Sequence, residues 1–159
     1  MLVRNADIFD LVRFRCETMA CLYQHLHDAM LKVRPTIDFR ENAHIGRYPE
    51  FAGLEYATLK PFLGSMRSSD YSEQYGKVEW LEVTRRFLLS LGDAFGDEFP
   101  MYSAIAVRPG ARPELVRKAV VISAEYDADG LSLAHYDSAS IELLQAVSDG
   151  LKDTGVSVG

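Results

Sequence analysis

The sequence predicts an α+β fold: a helical N-terminal half, then a three-stranded antiparallel meander and a C-terminal helix, with the helices packed on one face of the sheet. Three observations carry this reading. Apolar residues recur at helical spacing from Ile8 to Val33 and again from Lys77 to Phe95. After Pro100 the apolar period becomes two. A last helical stripe, Leu143, Leu144, Val147 and Leu151, precedes Gly155. A chain of 159 residues, 48% apolar and 25% charged, fits a single globular domain spanning 1–159.

The first helix is the best defined. Ile8, Leu11, Val12, Cys16, Met19, Leu22, Tyr23, Leu26, Ala29, Met30 and Val33 share one arc of about 140° on a helical wheel and form its expected docking face. Asn5 or Asp7 caps the start, and Pro35 ends the helix by disfavouring αR at Arg34. Arg15 falls inside the apolar arc and needs a carboxylate partner, or a route by which its guanidinium snorkels out. Cys16 and Cys21 lie five apart on this helix, pointing roughly 140° from one another, so they cannot close a disulfide. Free thiols fit a cytoplasmic compartment.

Residues 35–76 have weak periodicity, four tyrosines (Tyr48, Tyr56, Tyr71, Tyr75) and several Gly and Pro residues. They read as an irregular or binding segment, with a short helix around Leu54–Leu63 limited by Pro61. In the second helix, Trp80, Leu81, Val83, Thr84, Phe87, Leu88, Leu91 and Phe95 share one side, Glu82 and Arg86 pair at i, i+4 on the other, and Gly92 or Gly96 marks the exit. Met101–Arg108, Leu115–Tyr126 and Leu131–Tyr136 read as the three strands. Asp127–Gly130 makes a tight hairpin in which Gly130 takes the positive φ. Ser138 caps the final helix, Ala139–Lys152.

Charge is distributed unevenly. Met1 to Ser123 holds 16 basic and 16 acidic residues, whereas Ala124 to Gly159 holds Lys152 against seven acids, so the net −6 resides in the last 36 residues. A one-signed field of this kind repels nucleic acid and anionic membrane and attracts a basic surface. No apolar run approaches the length of a membrane span, and the N-terminus lacks the apolar core of a secretory leader.

Motifs of chemistry are weak. His135, Asp137 and Ser138 or Ser140 hold the residue types of a hydrolase site, but a nucleophile works from a sharp turn beside oxyanion donors, and capping explains Asp137 and Ser138 better. Asp127 and Asp129 fall short of a calcium loop, whose twelfth position here is Ser138. Cys21 and His25 are helical neighbours without the second ligand pair that zinc needs. His27 and His44 complete the histidines. There is no phosphate-binding glycine loop. No catalytic residue, metal or cofactor is assigned.

The expectation is therefore a cytoplasmic protein-binding module whose acidic C-terminal face captures a basic protein, with an immunity protein or antitoxin facing a basic toxin as the model case. The face is expected to comprise Glu125, Tyr126, Asp127, Asp129, Tyr136, Asp137, Glu142 and Asp149, the tyrosines serving as aromatic anchors. A small hydrolase centred on His135 and Asp137 is the alternative.

Overall fold

A computed structural model describes residues 6–43, 49–69, 71 and 76–155; Asn5, His44, Gly46, Tyr48 and Tyr75 lie outside them. Helix α1 (Ala6–Val33) leads into strand β1 (Arg40–Ala43). A short helix α2 (Tyr56–Leu59) and a 3-10 turn at Lys60–Phe62 precede β2 (Ser65–Ser68). Then come α3 (Leu81–Phe95), β3 (Met101–Ala106), α4 (Pro113–Glu125), β4 (Gly130–Ala134) and α5 (Ile141–Asp153).

The sheet overturns the expected antiparallel meander. It has four strands in the order β1-β2-β3-β4, and every pairing is parallel. The error lies in 115–126, of which residues 115–125 are helix. Leu115, Val116, Ala119, Val120, Ile122 and Ser123 are all buried along one side of α4. Their β-branched content imitates a strand, but their spacing is helical, and Pro113 sits in the first turn, where its missing N–H costs nothing. Once this segment is a helix, β3 and β4 are joined by a crossover and must run parallel. The two other strands were hidden in 35–76: Arg40-Glu41-Asn42-Ala43 and Ser65-Met66-Arg67-Ser68 are four residues each and largely polar.

Strand order that never reverses has a further consequence. Right-handed crossovers taken always in the same direction place every connection on the same face. The register bears this out. Met66 pairs with Glu41 and Met101, Ile105 with Leu133, and these positions face the helices. Two cores result. One joins Ile105 and Val107 to Leu81 and Leu88 of α3, Leu115, Val116 and Val120 of α4, and Leu143 and Val147 of α5. The other joins Ala43, Met66 and Met101 to Tyr23 of α1, Leu54, Leu59, Leu63, Leu91 and Phe95. The Ser123 hydroxyl lies 2.7 Å from that of Ser103 and 2.8 Å from the Ala119 carbonyl, so a buried polar pair fixes α4 on β3.

Other expectations are adjusted. Helix α1 docks through Cys16, Met19, Ala20 and Tyr23, whereas Leu11, Leu22 and Leu26 are 54, 47 and 44% exposed. Arg15 snorkels, its Nη1 donating to the Phe51 carbonyl at 2.7 Å. Both cysteines are free, Cys16 buried and Cys21 exposed. Burial, then the nearby Glu55 and Glu50, push the Cys16 thiol up. Gly96 ends α3 with φ +79°, Glu82 and Arg86 pair at 3.1 Å, and Trp80 is exposed rather than core. Asp127, not Gly130, takes the positive φ between α4 and β4, and there is no hairpin there. The cap of α5 is Ser140, whose Oγ accepts from the Leu143 amide, two residues after the expected Ser138.

Candidate functional site

The acidic residues do not form one patch. Asp127 and Asp129 precede β4 while Tyr136 and Asp137 follow it, so a five-residue strand, roughly 17 Å long, separates the two groups. Asp129 is engaged by the sheet, its Oδ2 accepting from the Met101 amide at 2.7 Å. Asp149 on α5 accepts from Gln145 and Lys152, which hold its carboxyl below the usual range. Asp153 receives two bonds from Arg117 at 2.5 and 2.8 Å, which lower it likewise. Bases that precede Ala124 in the chain thus return to its acidic end in space. Glu125 closes α4, and Tyr126 beside it lies 5.7 Å under the Arg85 guanidinium. Glu142 stands in the first turn of α5. Glu125, Asp127, Asp137 and Glu142 make no ion pair among the described residues.

The turn after β4 does not assemble a nucleophilic site. His135 has left-handed backbone, and the Ser138 hydroxyl bonds the His135 carbonyl at 3.0 Å rather than its ring. The ring Nε2 lies 3.4 Å from Arg108 instead. Ser140 is occupied as the cap of α5. Among the described residues no group of three His, Cys, Asp or Glu side chains could hold a metal ion, and no helix is long and apolar enough to cross a membrane.

What the helix layer does build is a groove. Between α3 and α4 an open cavity of about 740 Å³ has a floor of Val78, Leu81, Val121 and Ile122 and a rim of Glu82, Arg85, Glu114, Arg117, Lys118, Glu125 and Asp153. A second groove of about 540 Å³ separates α4 from α5, shares Glu114 and Arg117, and adds Ile141, Glu142 and Asp149. Ile141 is 86% exposed at its mouth. Rim carboxylates are held below their ordinary range: Glu82 by hydrogen bonds from Arg85 and Arg86, Glu114 by its own amide and then Arg112.

The other face of the sheet bears Arg40, Arg67, Tyr102, Ala104, Ala106, Gly130, Ser132 and Ala134. Arg67 crosses β3 to reach the Ser132 hydroxyl at 3.0 Å and the Tyr71 hydroxyl at 3.3 Å, and its buried Nε has no partner among the described residues. The Arg40 guanidinium stacks 3.9 Å over the Tyr102 ring. That ring in turn packs so close to Gly130 that a Cβ there would meet it at 3.1 Å.

No family model, no curated protein and no solved structure matches this chain. Of the expected site residues, Glu125 borders the first groove and Glu142 and Asp149 the second. The strand reading of 115–126 hides the outer face of α4 and with it Arg117, Lys118 and Val121; Arg85 on α3 and Ile141 on α5 become groove residues only once α4 packs beside both helices. The signal that would have found the grooves is the helical spacing of Leu115, Val116, Ala119 and Val120, which turns Arg117, Lys118 and Val121 outward.

Proposed function

We propose that this protein is a cytoplasmic protein-binding module that holds a basic partner against the outer face of α4. The observation that carries this reading is the lining of the α3–α4 groove: an apolar floor inside a rim made entirely of charged side chains. Among the described residues no hydroxyl, thiol or imidazole lines it. Glu82, Glu114 and Asp153, with depressed pKa values, stay ionised at neutral pH and are poor proton donors. An apolar strip bordered by fixed charges matches the anatomy of an interface core and rim.

The sign of the partner follows from the charges left over. Arg85 is answered by Glu82, Arg112 by Glu114, Arg117 by Asp153 and Lys152 by Asp149. Among the residues that line the two grooves this leaves Glu125 and Glu142 against Lys118, an acidic remainder. Such a remainder favours a basic protein and speeds its capture. An immunity protein or antitoxin that neutralises a basic toxin is a module of this kind.

The test compares three immobilised proteins against a lysate of the source organism: wild type, Val121→Glu with Ile141→Glu, and Glu125→Lys with Glu142→Lys. Wild type should retain a basic protein, and the groove variant should lose it while keeping its helical circular dichroism. The charge variant should associate on the order of tenfold more slowly at low salt, the gap closing as salt rises. Retention of nothing, retention of an acidic protein, or equal binding by all three overturns the reading.

A further inference from the structure

Three arginines are half-buried among the described residues: Arg67, Arg85 and Arg108. Arg85 is answered by Glu82, but Arg67 and Arg108 meet no carboxylate among the described residues. Both belong to one side of the molecule. Arg67 stands on the open face of the sheet, and Arg108 follows just past β3, its Nη1 3.4 Å from the His135 ring at the end of β4. No strand position on the open face is Asp or Glu. A guanidinium drawn partly out of water without a counter-charge carries a cost that neutral partners do not offset. Neutral partners are all that Arg67 has: Nη1 donates to the Ser132 hydroxyl and Nη2 to that of Tyr71, while its buried Nε bonds nothing described. Because both hydroxyls accept from Arg67, each keeps its own proton for another acceptor. Tyr71 is moreover held at φ +50°, and His135 at φ +63°. Residues other than glycine in left-handed backbone gather at ligand sites.

We propose that Arg67, Ser132 and Tyr71 bind the phosphoryl group of a small molecule on the open face of the sheet, within the positive field to which Arg108 adds. A phosphoryl group brings the negative charge that Arg67 lacks. It also presents several strong acceptor oxygens, which suit a guanidinium flanked by two hydroxyls better than a single acceptor would. Arg67 retains donors for it, since a guanidinium has more N–H groups than its two bonds here consume. All three side chains are half-buried, so a bound anion would be screened less than at an exposed arginine. Arg40, on the same face, is not part of the site: Asp38 neutralises it at 2.8 Å, Ser65 accepts from it, and it stacks on Tyr102. The open face lies opposite the helix layer. The site therefore goes beyond the α4 grooves and stands or falls apart from the binding function proposed for them.

The experiment is calorimetric titration of the full chain, at low ionic strength, with inorganic phosphate and in parallel with phenyl phosphate. Wild type should bind at least one of them saturably at a single site, with a Kd of about 1 mM or below. Tighter binding of the ester identifies an organic phosphate as the ligand, and equal binding identifies the free anion. Arg67→Gln should weaken binding about tenfold or more, and Ser132→Ala about threefold, with circular dichroism unchanged. Arg13→Gln, which removes an exposed arginine of α1, should bind as wild type does. Should Arg67→Gln fail to fold, Ser132→Ala decides the matter alone. No saturable binding of either probe, wild-type affinity in Arg67→Gln or in Ser132→Ala, or an equal loss in Arg13→Gln each overturns the proposal.

Discussion

The two faces of the sheet are built from neighbouring residues of the same strands yet obey different rules. On the helix side, Met66, Met101, Ile105 and Leu133 meet apolar side chains from the helices. On the other side, Ala104, Ala106, Gly130, Ser132 and Ala134 keep the surface small, and Arg40 and Arg67 lie across it with Tyr102. Parallel sheets usually carry helices on both faces and read as continuous apolar runs. Among the described residues this sheet carries helices on one, because its strand order never reverses. The lesson is that crossover direction, rather than strand propensity, decided which residues had to be hydrophobic. Alternation of the antiparallel kind in β1 and β2 follows from that, and so does the polar look of both segments.

The sharpest way to break this comparison is to substitute adjacent residues of β3. Ile105→Ala removes a fully buried side chain from the helix-side core and should cost about 2–5 kcal/mol. Ala104, on the face spanned by Arg67, is equally buried but carries only a methyl group, and Ala104→Ser, which adds a hydroxyl there, should cost about 1 kcal/mol. Denaturant titrations giving equal losses would show that the faces do not differ in kind. A second test lies within the helix layer. At Gly150 a Cβ would stand 2.8 Å from Val120 Cβ and 2.9 Å from the Arg117 carbonyl, and backbone cannot yield as a side-chain tip can. Gly150→Ala should therefore cost about 1–3 kcal/mol by forcing α5 off α4, despite the better helix propensity of Ala. Stabilisation by this substitution would mean that the two helices are more loosely packed than described.

Those results also bear on how much of the fold could be read from the chain. The helices at 6–33, 81–95 and 141–153 announce themselves through a 3.6-residue period, and Gly96 and Pro35 mark two of their ends. Strands β3 and β4 were found, but their direction depends on what connects them. In the connection, Val116, Val120, Val121 and Ile122 supplied β-branched bulk that outweighed the helical spacing of the buried positions. That substitution of one element reversed the topology. Strands of four residues such as Arg40–Ala43 are too short for periodicity to register. The acidic end of the sequence was plain to see, but Arg117, which meets Asp153 from 36 residues away, is a tertiary fact that no local count contains.

Each face has a polar exception, and the one on the apolar side offers a pH test. Tyr23 of α1 donates its hydroxyl to Glu41 of β1 inside the second core. Burial first, then the bond to Glu41, raise the phenol pKa well above its ordinary value of about 10. A group raised in the folded state contributes stability that is complete below its unfolded pKa and is lost as pH climbs toward the folded one. Tyr23→Phe should cost about 1–2 kcal/mol at pH 7, the worth of a hydrogen bond to a charged acceptor. Paired melts should show that gap shrinking above about pH 10. A gap that is constant from pH 7 to pH 11 would mean that the phenol is not held protonated by its surroundings.

The smallest expected effect concerns the outermost layer, where charge has replaced packing altogether. Arg117 and Asp153 make a two-pronged ion pair at the rim of the α3–α4 groove, and both side chains stand in water. The pair depresses the Asp153 pKa, chiefly through the Arg117 hydrogen bonds. A depressed carboxylate contributes stability present above its unfolded pKa and lost as pH falls through the folded value, a window below about pH 4. Solvent and salt screen that contribution, and exposed pairs are weak in any case. Asp153→Asn should therefore leave the neutral-pH melting temperature unchanged within error in physiological salt. At low salt and below about pH 4 the wild-type and variant curves should coincide, because the acid is then titrated. A clear neutral-pH loss would make the rim a structural clamp that joins α4 to α5. The expected null leaves its charges free to serve recognition, with the sheet's helix-side core supplying the stability that the rim does not.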